Sequence, residues 1–246
     1  DPRAPYTSRL SACSALYTDL HVLMDTKRDS SSSYRTLVID ENRLARKSAA
    51  ARQKIWKELK PRYLLNEDHP VFAAFLREWR RCGSESERGL TAYILLALND
   101  RLVADLGVQW LCPRLRRAPA ELRVSDVLGF IKTAASHPEV AEWSDNTRTA
   151  VAQKYCASIR DFGLARGTVR KHTVRPALYG APIRLLVQAL RLVGTRDLDI
   201  VRAPIFKLLS LEGAEVIEAF GELNRQGAIF FRMQGDIVEL DIGGER

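Results

Sequence analysis

The sequence predicts a mainly α protein. It has a helical N-terminal part with helix-turn-helix character, followed by winged-helix-like units and a small C-terminal β-hairpin. Three observations point there. Apolar residues recur at helical spacing through most of the chain. Gly and Pro punctuate these stretches where helices stop and start. At the C-terminal end, Ala228–Met233 and Ile237–Ile242 alternate in polarity across Gln234-Gly235-Asp236, a hairpin signal.

In chain order, Asp1–Pro5 reads as a loose arm. Ser11–Thr26 reads as a helix with Leu16, Leu20 and Leu23 on one side, and Asp29–Ser33 as a polar break. Tyr34–Asp40 leads into a basic helix in which Pro61 marks the last turn or a kink. Val71–Cys82 carries Phe72, Phe75, Leu76 and Trp79 at helical spacing, and Gly83 stops it. Leu90–Leu111 follows with a stripe of Leu95, Leu98, Leu102 and Leu106, and these two pair as a helical hairpin. The Pro- and Arg-rich stretch Cys112–Arg123 predicts a boundary between an N-terminal domain, 1–122, and a C-terminal domain, 123–246.

Beyond it, Ser125 can cap a helix over Asp126–Ser136. Pro138 starts a short helix, and Ser144 or Asp145 caps a longer one over Asn146–Phe162 that Gly163 ends. A basic, β-branched segment, Leu164–Arg175, comes next. Three helices and such a segment outline a winged helix. Its exposed residues would be Thr147, Arg148, Lys154, Arg166, Arg170 and Lys171. Helices then run Pro182–Val193, Pro204–Leu211 and Ala214–Gln226 before the hairpin. This last unit repeats the outline, but its final helix carries Glu215, Glu218 and Glu222 against Arg225 alone. An acidic helix is repelled by phosphate, so the unit reads as structural or protein-binding.

The charge is concentrated. Asn42–Tyr63 holds Arg43, Arg46, Lys47, Arg52, Lys54, Lys57, Lys60 and Arg62 against Glu58, a net +7 in a chain of net +8. At 100° per residue, Leu44, Ala51, Ile55 and Leu59 share one face, and Arg43, Arg46, Lys47, Lys54 and Lys57 lie opposite. Ala50 and Gln53 sit among them, small enough to let a polyanion approach. A solvated basic face is the plain alternative. The scarcity of Glu partners at helical spacing and the helix–break–helix pattern of Thr36–Leu59 favour double-stranded DNA. The expected DNA-binding residues are Arg43, Arg46, Lys47, Arg52, Lys54, Lys57 and Lys60, with Arg166, Arg170 and Lys171 as a second contact. The Arg cluster of the connector, Arg114, Arg116 and Arg117, is a weaker candidate for phosphate.

A pI near 9.5 and 46% hydrophobic residues describe a globular chain with an acidic partner. Cys13, Cys82, Cys112 and Cys156 are scattered, without zinc spacing or a disulfide framework, which fits a reducing cytoplasm. No signal peptide is expected, and Tyr93–Leu111 is interrupted by Asp100, Arg101 and Asp105, so it reads as a buried helix and not a membrane span. The chain opens on Asp1 without Met, so its native start is expected to be missing. His21, His69, His137 and His172 show no paired spacing, and no phosphate loop or nucleophile elbow occurs. The chain therefore reads as no enzyme, with no metal and no cofactor. Trp56, Trp79, Trp110 and Trp143 are expected to pack in cores.

Several stretches, in order, carry a resemblance: Tyr6-Thr7-Ser8-Arg9-Leu10; Asn42-Arg43-Leu44 with Ser48, Arg52 and Arg62-Tyr63; Leu95-Leu96; and Trp143-Ser144 with Thr147, Tyr155 and Asp161-Phe162-Gly163-Leu164. On these the chain resembles the BrxA family of the bacterial BREX phage-defence systems, up to about Arg175. The resemblance implies a small, mostly helical, non-catalytic protein that binds double-stranded DNA. It also implies work beside other BREX proteins: a methyltransferase, an alkaline-phosphatase-like protein, an ATPase and a protease-like ATPase. An assembly adaptor for those components, with incidental DNA affinity, is the alternative function.

Overall fold

Short polar side chains set where several helices begin. Ser33, Ser48, Ser84 and Ser144 each accept a hydrogen bond from the backbone N–H three residues on, at 3.1–3.2 Å. Asp100 does the same for Val103 N–H at 3.2 Å. Each such cap satisfies an orphan donor and stabilises its helix by about 1 kcal/mol. Pro70 and Pro138 stand at first helical positions, where the missing N–H costs nothing.

The computed structural model describes residues 5–28, 31–134 and 137–243. The helices are α1 (Tyr17–Arg28), α2 (Tyr34–Ile39), α3 (Ala49–Arg62), α4 (Pro70–Arg81), α5 (Glu85–Asn99), α6 (Arg101–Asp105) and α7 (Cys112–Arg116). A π-helical turn, Leu106–Leu111, joins α6 to α7. Next come α8 (Val124–Thr133), α9 (Pro138–Ala141) and α10 (Asp145–Asp161). A first hairpin pairs β1 (Ala165–Arg166) with β2 (His172–Thr173). Then α11 (Gly180–Leu192), α12 (Asp197–Val201), a 3-10 turn (Pro204–Leu209) and α13 (Ala214–Arg225) lead to a second hairpin, β3 (Phe230–Gln234) with β4 (Ile237–Asp241). The chain is thus mainly helical, with two small antiparallel two-stranded sheets. Among the described residues no helix is long and apolar enough to cross a membrane.

Several sequence expectations are corrected. The first helix starts at Tyr17, after a 3-10 turn at Arg9–Ser11, because Leu16 takes a left-handed φ of 56°. The expected Leu90–Leu111 helix breaks at Asp100, whose extended backbone and side chain start α6 anew. Helical structure then runs on to Arg116, inside the expected connector. Arg123, not Ser125, stands at the cap of α8. The short helix α12 fills the stretch between the expected helices Pro182–Val193 and Pro204–Leu211. The expected arm, apart from Pro5, and the ends of two expected segments at Asp29, Ser30, Ala135 and Ser136 lie outside the described residues.

One apolar cluster runs from Tyr6 to Ile242. Packing crosses residue 122: α11 lies against α4 and α5, and α10 against α8 and the Arg9–Ser11 turn. At the α4–α11 contact, Glu78 is 0% exposed. It accepts from Arg184 Nε at 2.7 Å, Gln188 Nε2 at 2.9 Å and Arg81 Nη1 at 3.2 Å. A buried carboxylate needs this many donors to offset its lost hydration. The backbones also meet closely: a Cβ on Gly89 of α5 would stand 2.7 Å from the Phe162 carbonyl oxygen at the end of α10.

Candidate nucleic-acid interface

Nine residues separate α2 from α3, and Asn42 shapes that turn from a left-handed φ of 51°. Its side chain accepts from Arg46 N–H at 2.7 Å and donates to Arg46 C=O at 3.0 Å, while Leu44 is buried. The helix itself begins only at Ala49. Arg43, Arg46 and Lys47 therefore belong to the turn, not to the helical face on which the 100° projection put them. Arg43 Nε donates to Glu41 at 2.8 Å, and Arg46 reaches Asp19 of α1. Burial raises the Asp19 carboxyl above its ordinary value, and Arg46 opposes that rise.

On α3 the outcome follows the helical period. Ala49, Ala50, Gln53, Lys54, Lys57 and Lys60 are exposed. Leu59 and Arg62 are buried, and Ile55 and Trp56 are half-buried against the core. Lys54 and Lys57, with Lys47 before the helix, have no ion-pair partner among the described residues. Lys60 Nζ lies 6.0 Å from the centre of the Trp56 ring, at the limit of a cation–π contact. Arg52 is half-buried, with Nε enclosed and unpaired.

Arg62 faces the other way. It is 1% exposed and donates to Ser14 C=O at 2.8 Å, Arg9 C=O at 2.9 Å and Cys13 Sγ at 3.1 Å. Tyr63 Oη donates to Ala15 C=O at 2.6 Å. These side chains pin the N-terminal segment. Tyr6 Oη donates to Asp105 at 2.6 Å, and Thr7 Oγ1 donates to Asp100 at 2.8 Å. The residues that carried the resemblance at Tyr6–Leu10 and Arg62-Tyr63 are thus fasteners of the fold.

An open groove of about 750 Å³ runs beside Lys57, walled by Thr7, Arg9, Glu58, Glu139, Glu142 and Trp143. The Tyr6 N–H donates to Glu139 at 2.8 Å and holds that carboxyl below its ordinary range. It is charged at neutral pH. The groove thus sets Glu58, Glu139 and Glu142 against Arg9 and Lys57.

The second expected contact is the first hairpin. Its register pairs Ala165 with Thr173 and Arg166 with His172. Residues 120–122 add to the β2 edge: Leu122 N–H donates to Lys171 C=O, and Thr173 N–H to Ala120 C=O, each at 2.8 Å. Arg166 and Arg170 are exposed. Lys171 is half-buried and donates to Thr168 C=O at 3.0 Å, so it closes the loop. On α10, Thr147 and Lys154 are half-buried. Arg148 donates to Ala141 C=O at 3.1 Å and Asp145 at 3.2 Å. Their expected exposure is corrected.

The connector arginines are also mostly engaged. Arg114 stacks 4.2 Å from the centre of the Trp110 ring and pairs with Asp126 at 3.2 Å. Arg116 bridges Glu212 and Glu215, and Arg175 reaches Glu215 at 3.3 Å. Arg117 alone of the three expected there is exposed without an ion pair among the described residues. Trp79 and Trp110 are buried as expected; Trp56 and Trp143 are half-buried.

No signal in the sequence singled out Asp19 or Glu41 as counter-charges. Asp19 sits a whole helix away from Arg46. No curated protein matches the chain. The BrxA family model matches residues 4–189, three quarters of the length, and so takes in α3, the fasteners of the N-terminal segment and the first hairpin. The chain belongs to the BrxA family.

Proposed function

We propose that this protein is a non-catalytic double-stranded DNA-binding component of a BREX phage-defence system. Family membership suggests the BREX association. The observation that carries the DNA reading is the outer face of α3. Lys54, Lys57 and Lys60, preceded by Lys47, stand on one exposed surface around the small or neutral Ala50 and Gln53. The unpaired cations are available to phosphate, and binding to phosphate tolerates sequence. Arg166 and Arg170 on the first hairpin supply a second contact. The protein works in the cytoplasm, where its four unpaired cysteines stay reduced. Other BREX proteins are its partners.

A salt titration of duplex binding tests the reading. With about five phosphates neutralised, log K falls against log[salt] with a slope of roughly −4 to −5. An affinity that barely responds to salt overturns it.

A further inference from the structure

The tip of the first hairpin carries the most exposed large apolar side chain among the described residues. Val169 is 91% exposed. Single apolar residues on a surface are ordinary. This one differs in how it is held. Gly167 turns with a φ of 102°, and a Cβ there would collide with the Arg170 carbonyl oxygen, so the loop closes on itself. Lys171 Nζ ties back to Thr168 C=O at 3.0 Å, and the β2 edge is braced by residues 120–122. A β-branched side chain has little rotamer freedom to lose on contact. Val169 is thus a stiff apolar tip, with the exposed Arg166 and Arg170 to either side of it in sequence.

We propose that this tip enters the minor groove of duplex DNA and favours A·T over G·C pairs there. The proposal rests on the DNA-binding reading above and adds to it a groove and a base preference. The minor groove tells A·T from G·C only by the guanine 2-amino group. A valine methyl pressed on that group strips its water and offers no acceptor, an uncompensated loss. Over A·T pairs the group is absent. The groove is also narrower in A-tracts, with a deeper negative potential that draws arginine. Arg166 and Arg170, both exposed and within three residues of Val169, supply that cation.

The second hairpin supplies the contrast within the molecule. Ile237, near its tip, is 72% exposed. Its neighbour Asp236 adds negative charge and is paired with Arg202 at 2.6 Å, and α13 packs against β3 with Glu218 and Glu222 on it. The residue flanking that tip is an acid, and the arginine that meets it is already engaged, so an apolar tip alone is not enough.

The test is a competition measured by fluorescence anisotropy, with alternating A·T, G·C and I·C duplexes of equal length. Inosine keeps the major-groove acceptors of guanine and lacks its 2-amino group. Wild-type protein is expected to bind A·T and I·C alike, each roughly fivefold better than G·C, the scale of one base-pair discrimination. Val169→Ser, at a site too exposed to disturb folding, should narrow that ratio below about twofold by raising G·C affinity while A·T affinity holds. Equal affinity for all three duplexes, I·C behaving like G·C, or a preference unchanged by Val169→Ser each overturns the minor-groove proposal and leaves phosphate-driven binding standing. Failure of wild-type protein to bind any duplex overturns both.

Discussion

Helices α3 and α13 invert each other's charge and meet opposite fates. Both follow two shorter helical segments, and both bury one apolar face. On α3 the outer cations Lys54 and Lys57 find no carboxylate among the described residues. On α13 the acids are answered: Glu215 by Arg116 and Arg175, and Glu222 by Arg225 at 2.5 Å. Only Glu218 of that row is exposed without an ion pair. A run of like charge in a sequence is therefore not yet a charged surface. It becomes one where the rest of the fold withholds counter-ions; on α13, Glu215 is neutralised by arginines distant in sequence and Glu222 by Arg225 of the same helix.

The sharpest way to break the comparison is to ask whether α3 is held by its cations or merely displays them. Arg62 is the one that holds. Replacing it with Met leaves the carbonyls of Arg9 and Ser14 without their donor in the interior. The cost should be about 3–5 kcal/mol, near the figure for breaking a buried charged contact. For a chain of this size that lowers Tm by about 10 °C. Thermal unfolding with a shift under about 3 °C would show that Arg62 is not a fastener.

Next in size is the double reversal Lys54→Glu with Lys57→Glu. Both side chains are exposed, so the fold should be unaffected, while duplex affinity near 0.1 M salt falls roughly 30- to 100-fold for all sequences alike. Glu218→Lys on α13 is the matched control. It adds a cation to the other helix and should change affinity by less than about threefold, because a single charge placed off the α3 face adds to the overall field and makes no phosphate contact of its own. If the control strengthens binding as much as the reversal weakens it, net charge alone governs affinity, and the distinction between the two helices disappears.

Local signals were legible in the sequence. The serine cap at 144, the period of α3 from Ala50 to Leu59, the left-handed Gly163 and the hairpin at Gln234-Gly235-Asp236 all depend on residues a few positions apart. What could not be read depends on distance. Arg62 looked like one more cation of the basic run, because only the fold brings Ser14 and Arg9 against it. Arg46 and Asp19 meet across a turn whose course is set by Asn42 and Ala45 in left-handed conformations. The helical projection failed at Arg43–Lys47 for the same reason: charge spacing says nothing about where the backbone stops being a helix. The connector arginines misled in the other direction. Pro113 and Pro119 suggested a linker, yet Cys112–Arg116 is helical and its side chains close onto Trp110 and Glu215.

The smallest expected effect concerns how firmly α13 is neutralised. The hydrogen bond from Arg116 holds the Glu215 carboxyl below its ordinary value of 4.5, with Arg175 and the Glu212 N–H assisting. A depressed folded-state pKa means that the charged form is favoured by folding. The contribution is complete above the unfolded value near 4.5 and is lost as pH falls through the folded one. Because the pair lies at the surface, its worth is at most about 1 kcal/mol. Glu215→Gln should therefore be slightly less stable than wild type at pH 7, and the gap should close as the pH drops below 4.5. Urea unfolding of both proteins at pH 7 and at acid pH measures it. A gap that persists unchanged into acid would mean that α13 is neutralised by something other than Arg116, and that its contrast with α3 rests on packing and not on paired charge.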